Sequence, residues 1–287
     1  MTDVSHAPDP GLLGPDSVTW NMHADPSMWV AGITSLYLQS LHPRAVAGVV
    51  QNSNFQEDPL GRLARTANFV GLSTYGPRDQ VAEAAAKVRT IHRSLRATDQ
   101  RTGQTFRVDD PELLRWVHCA EVSSFLAVVR MAGYPMTDGQ ADRYLDEQRQ
   151  TATLVGLHAE DIPGSQAQMR AYFADMRPEL ARTPDSDIVY RFLHRPPLAF
   201  PLVLGRPVYT TLLGHLAYSL LPSWAIALHE RDPYRRDGAI ALLRTLRSTA
   251  FGVPKWLRWG KPEPYAIQAI ARLGSGARPS VRRLPKI

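Results

Sequence analysis

Apolar residues return with the period of an α-helix along nearly the whole chain, and that recurrence restricts the fold more than any other feature. Trp29, Ile33, Leu36, Tyr37 and Leu41 mark one face of a helix that Pro43 stops. Pro59 precedes a second segment running from Leu60 to about Val70. Beyond Gly76-Pro77, a long helix carries Val81, Ala84, Ala85, Val88, Ile91, His92 and Leu95 on one stripe. Asp109-Asp110-Pro111-Glu112 is a strong helix start. Its acidic side chains accept from the free amides of a first turn, and proline there gives up no bonded N–H. That helix passes through Leu114, Val117, Glu121, Phe125 and Val128 to Gly133. Further helices are predicted at 138–154, 165–176, 185–194, 207–220, 223–251 and 264–273, with 99–107 as a loop or short hairpin. Strand-type alternation is almost absent, so the expected class is all-α. With no internal repeat or linker, the expected organisation is an N-terminal arm at 1–20, one helical domain at 21–275 and a basic flexible tail at 276–287.

Composition removes several functional classes. Hydrophobic residues at 44% exclude a disordered chain. The lone Cys119 excludes an internal disulfide, a cysteine-ligated zinc cluster and an iron–sulfur site. A reducing, cytoplasmic setting is expected, because Met1–His6 carry no basic-then-apolar leader pattern. A net charge of +6 is mild, and without an RNP, KH, zinc-finger or basic-zipper pattern nucleic acid is not expected as a partner. The stretch 207–228 has no formal charge and approaches the length of a membrane span. Pro222 interrupts it, however, and His215, Thr210, Thr211, Tyr218 and Ser219 dilute it, so a buried core segment is expected. Trp256 and Trp259 stand among Arg244, Arg247, Lys255 and Arg258, which allows peripheral membrane contact; packing on the core is the preferred expectation.

Common catalytic patterns are missing from the sequence. No two of the nine histidines stand three or four apart, and there is no Gly-x-Ser-x-Gly elbow, Walker loop or Gly-x-Gly-x-x-Gly. What remains is basic residues on apolar helices. In Arg89-Thr90-Ile91-His92-Arg93-Ser94-Leu95-Arg96, the helical period sets His92 on the apolar stripe with Val88 and Leu95, and Arg89 and Arg96 one turn to either side. A neutral imidazole on an apolar wall suits an axial haem ligand, and guanidinium forks suit propionates. Spacing alone favours a plainer arrangement, a core imidazole bonded to a carbonyl between two surface arginines. In Asp58-Pro59-Leu60-Gly61-Arg62-Leu63-Ala64-Arg65-Thr66, the basic residues Arg62 and Arg65 share a helix face with Thr66 beside them. Facing a metal they would donate to bound dioxygen or peroxide; otherwise they are a basic surface.

Taken together, the two clusters resemble the DUF2236 family, which includes the rubber oxygenases (latex-clearing proteins) and the MpaB-type oxygenases. The pattern Arg-x-x-His-x-x-x-Arg matches at Arg89, His92 and Arg96, and the upstream Arg, basic residue and Thr match at Arg62, Arg65 and Thr66. Leu41-His42-Pro43, Thr74-Tyr75-Gly76 and Leu114-x-Trp116-Val117-His118 look familial too, over about residues 20 to 130. The resemblance implies a globin-like helical core around haem b (iron protoporphyrin IX), with His92 as iron ligand. It further implies Arg62, Arg89, Arg96 and His118 around the cofactor, and an apolar small-molecule substrate with O2 or peroxide. Two departures are informative. The distal lysine of the rubber-cleaving members is Arg65 here, and a guanidinium has no lone pair to give a metal. Their glutamate base is also missing, since no Asp or Glu lies between Asp25 and Glu57. That leaves His42 as the polar candidate for acid–base work, with capping as its alternative. His118 is the rival ligand, and a non-catalytic haem or gas binder is the rival function.

Overall fold

A computed structural model describes residues 8–53, 58–197, 199–253, 265–280 and 284. Trp256, Trp259, Lys255 and Arg258 lie outside the described residues. The fold is all-α apart from one short hairpin. In chain order the first helices are α1 (Val18–Met22), α2 (Met28–Gln39), α3 (Pro43–Asn52), α4 (Pro59–Tyr75) and α5 (Arg78–Ser94). The expected loop or hairpin at 99–107 is the turn and second strand of an antiparallel hairpin, β1 (Arg96–Thr98) on β2 (Thr105–Arg107), with Ala97 opposite Phe106. Then follow α6 (Pro111–Met131), α7 (Asp138–Thr153), α8 (Gln166–Met176) and α9 (Pro184–His194).

Local chemistry sets these boundaries. The Asp110 carboxylate accepts from the Glu112 amide at 3.0 Å and Pro111 opens α6, as the sequence predicts. Reciprocal capping boxes start α7 at Thr137/Gln140 and α9 at Thr183/Ser186. The central pairing is α2 along α6, the closest packing of two helices among the described residues. Trp116, wholly buried in α6, donates its indole N–H to the Gln39 carbonyl at 3.0 Å where α2 ends. Tyr37, Leu38, Val122 and Val129 fill the same core.

The C-terminal half departs from the expected helices. The segment 207–220 divides into α10 (Arg206–Tyr209), a π-helical turn (Thr210–His215) and α11 (Leu216–Ser219). Gly214 lets this turn approach α9: a Cβ there would stand 3.0 Å from the Leu193 carbonyl oxygen and 3.1 Å from that of His194. The single helix expected at 223–251 is two, α12 (Ser223–His229) and α13 (Arg236–Gly252). Glu230 adopts a left-handed conformation (φ 54°), and Pro233 then disfavours helix in the residue before it. The last described helix is α14 (Tyr265–Leu273).

The described parts of the expected arm and tail are docked. Trp20 is wholly buried and donates to the Ala277 carbonyl at 2.8 Å, and the Ser280 amide donates to Asn21 Oδ1 at 2.8 Å. For residues 277–280 this corrects the expectation of a flexible tail: Ala277 is buried, and the Ser280 carbonyl accepts from the Tyr134 hydroxyl at 2.7 Å.

Candidate functional site

The two basic clusters fall on consecutive helices, α4 and α5, which come close to each other over very few residues despite the short turn that joins them. Neither lies closely along α6. α4 starts at Asp58, whose carboxylate accepts from the Gly61 amide at 2.9 Å and pairs with Arg65 at 3.0 Å. The Arg65 hydrogen bond, then that of Gly61, holds the Asp58 carboxyl below its usual range. This pair is at the surface, with Arg65 68% exposed, and Thr66 is exposed with its hydroxyl donating back to the Arg62 carbonyl. Arg62 points inward: it is half-buried, donates to the Ser53 hydroxyl, and is pushed down in pKa by burial and then by the Arg65 charge. It closes a narrow apolar cleft of about 50 Å³ formed with Leu36, Val46, Val117 and Phe192, which admits small molecules the size of water.

At the other end of the pair, His92 sits in the last turn of α5, half-buried. Its Nδ1 is sealed from solvent without a hydrogen-bond partner, and no ring bond to Nε2 forms among the described residues. Burial lowers its pKa against the opposing pull of Asp109, so the ring is neutral at physiological pH. The carbonyl-bonded core imidazole that spacing favours is therefore not what the structure holds. Arg89 donates to the Leu154 carbonyl at 2.8 Å, reaching the end of α7. Arg96, exposed in β1, donates to the Arg93 and Leu95 carbonyls at 2.8 and 2.9 Å. Among the described residues neither guanidinium forms a close ion pair, although the Arg96 charge acts on the Asp109 carboxylate. No hydrogen bond or ion pair links Arg62, Arg65 or Thr66 to Arg89, His92 or Arg96 among the described residues.

α6 supplies a second imidazole. His118 is buried with its Nε2 unpartnered; burial pushes its pKa to about 4, with the Gln148 backbone opposing. Beside it, burial drives the Cys119 thiol to about 12, which removes it as a thiolate ligand. One turn on, at helical spacing from His118, the Glu121 carboxyl is raised to about 7 by burial alone. Glu121 is half-buried by accessible surface. The Tyr144 hydroxyl is raised by burial and then by Glu121, which sets the two together. His23 completes this group, its Nδ1 2.9 Å from the Thr74 hydroxyl and its ring edge-on to Phe125 and Tyr144. Glu121 and His23 escape sequence reasoning: the only available signal is His118-x-x-Glu121, two titratable groups on one helix face.

His42 caps α3, where its Nδ1 accepts from the Ala45 amide at 3.3 Å. Its ring stands 5.9 Å from that of Trp116, and burial followed by the Arg44 charge lowers its pKa to about 4. The lone pair on Nδ1 is engaged by the cap, so the capping alternative describes its contacts.

Against known families, residues 20–251 match the model described as ER-bound oxygenase mpaB/B'/Rubber oxygenase, catalytic domain. The chain belongs to this family. No curated protein and no solved structure matches it at a significant level. The mpaB/rubber oxygenase match contains α2 to α13 almost whole, so the basic clusters and the α2/α6 core both belong to the catalytic domain of an oxygenase family, and the chain is accordingly an oxidoreductase.

Proposed function

We propose that this chain is a haem b-dependent oxygenase that acts on an apolar small molecule with O2 or peroxide, His92 being the iron ligand. One observation carries the reading: a neutral, half-buried imidazole at the end of a helix standing off from α6, with neither ring nitrogen hydrogen-bonded among the described residues. A metal would use the lone pair of Nε2, which no described residue engages, while the sealed Nδ1 would carry the ring proton. Haem, when bound, supplies an iron that binds and activates the oxidant.

The chain's own residues provide the rest. His92 offers an uncharged ring at physiological pH, because burial disfavours its protonation. Arg89 and Arg96, with Arg62 from α4, are the cations for the two propionates; carbonyls engage the first two, and neither is held in a close ion pair among the described residues. Arg65 stays protonated and acts as a donor toward the oxidant with Thr66, in a role that requires it to turn away from Asp58. Leu36, Val46, Val117 and Phe192 give the apolar wall against which a hydrocarbon group would pack. His118 is the rival ligand, favoured by its own unpartnered Nε2.

A non-catalytic haem or gas binder is the second reading. It is favoured by the absence of any acid between Asp25 and Glu57 and by the engagement of His42 as a cap. Protein purified with haem supplied, then recorded oxidised, reduced and with carbon monoxide, tests both. The reading expects a stoichiometric Soret band and substrate-dependent oxygen or peroxide consumption. A band without consumption leaves the binder; a colourless protein rejects both.

A further inference from the structure

We propose that the loop between α9 and α10 is a membrane-insertion element that seats this protein on a bilayer surface rich in anionic phospholipid. Within nine residues, Phe200 is 80% exposed, Leu204 71%, Val208 60% and Leu202 55%, and the intervening Pro201 and Pro207 are exposed as well. Large apolar side chains scattered singly over a surface are ordinary, but four on one protruding turn are not. Leu202 and Leu204 sit in a 3-10 turn, Leu202–Gly205, with Phe200 just before it and Val208 in the one-turn helix α10 that follows.

The charge around the loop selects the partner. From Ile188 to His229 there is no Asp or Glu, while Arg195 and Arg206 are exposed and flank the apolar turn along the chain. An apolar tip rimmed by guanidinium groups, with no carboxylate to repel lipid phosphates, matches the boundary between acyl chains and anionic headgroups. A second protein could cover the apolar tip, but nothing in the loop supplies the mixed charge or backbone edge that would orient one.

The same segment does not cross the membrane. No single described helix is long and apolar enough, and the one pair that passes jointly, Leu202–Ser219 with Ser223–His229, is bent by 115°. Its far half is also occupied: Leu216, Ala217, Tyr218 and His229 are wholly buried, the Ala217 carbonyl accepts from the Thr34 hydroxyl at 2.9 Å, and the His229 Nε2 donates to the Tyr37 carbonyl at 3.1 Å. The core therefore holds 216–229, and only the tip at 200–208 is free to enter lipid. The loop dips into the bilayer and does not span it.

The test is co-sedimentation of the full chain with vesicles of phosphatidylcholine alone and of phosphatidylcholine with phosphatidylserine. Binding to the anionic vesicles is expected, with about tenfold or greater loss for Phe200→Ser with Leu204→Ser, since each exposed apolar side chain carries a comparable share of the insertion. Arg195→Ala with Arg206→Ala should erase the preference for phosphatidylserine. A Phe200→Trp variant should shift its fluorescence to the blue on adding anionic vesicles. Because every altered side chain is exposed, the thermal transition should not move. No sedimentation of the wild-type chain with anionic vesicles overturns the proposal. So does binding that the Phe200/Leu204 variant retains in full, or a dimer in solution that the same variant converts to monomer without any vesicle binding.

Discussion

The α2/α6 pair and the α4/α5 pair are built from the same helical periodicity, and the first packs along its length while the second does not. In the first, Trp116 is wholly buried with its N–H bonded, and Tyr37 offers its carbonyl to His229. In the second, the helices diverge from a short turn, Arg65 pairs with Asp58 at the surface, and the ring of His92 is hydrogen-bonded to nothing described. Buried atoms without a partner occur on both sides, Tyr37 Oη and His118 Nε2 in the first and His92 Nδ1 in the second, so the difference lies in how closely the helices pack and how exposed their polar groups are. The core supplies rigidity, and the diverging pair supplies groups that a bound cofactor would complete.

The largest effect that can separate the two regions comes from acid. His42, His118 and His229 are pushed to about 4 and His23 to about 3, burial being the leading cause for each. The unfolded chain takes up these protons near pH 6.5 and the folded one does not, so stability falls as pH drops from about 6.5 to 4. Four such rings together should offset the whole stability of an ordinary domain, about 5–15 kcal/mol, and circular dichroism against pH should show unfolding in that window. A fold that survives at pH 4 would mean these rings are not buried neutral.

Next comes Trp116→Ala, which should cost about 3–5 kcal/mol in denaturant unfolding, because it opens a cavity in the saturated core. Substitution of His92 by alanine in the cofactor-free protein should cost far less, which sharpens the contrast. Glu121→Gln works in the opposite direction. The folded carboxyl holds its proton to about 7 and the unfolded one only to about 4.5. The native state therefore loses stability as pH rises through that interval, and Gln should restore about 3 kcal/mol at pH 8 and nothing at pH 4. Thermal melts at the two pH values check this. Smallest of all, Arg65→Ala should change the melting of the cofactor-free protein by less than about 0.5 kcal/mol, because its ion pair is exposed. With haem supplied, the same variant should slow turnover or shorten the life of the oxygenated complex, and unchanged values for both would remove Arg65 from the site.

Much of the helical framework is legible in the sequence because its signals are local. Pro43, Asp110-Pro111 and Gly76-Pro77 mark ends, and the His42 and Asp110 side chains cap the first two. The break after His229 is not legible, because Glu230 takes a left-handed conformation that glycine or asparagine would normally announce. The π-helical turn at 210–215 depends on how closely Gly214 meets α9, a tertiary fact. In the site, the spacing of Arg89, His92 and Arg96 is visible, but whether the imidazole has a partner is decided by how far α5 stands from α6. Glu121 from α6 and His23 from the end of α1 each lie beside Tyr144 of α7, and periodicity within one helix cannot join the three.

The most direct measurement is the visible absorption spectrum of His92→Ala and His118→Ala, each purified with haem supplied and compared with the parent chain. The account predicts that the first loses stoichiometric haem and its Soret band while the second keeps both. A normal Soret band in His92→Ala, with loss in His118→Ala, would move the iron to α6 and contradict the central claim.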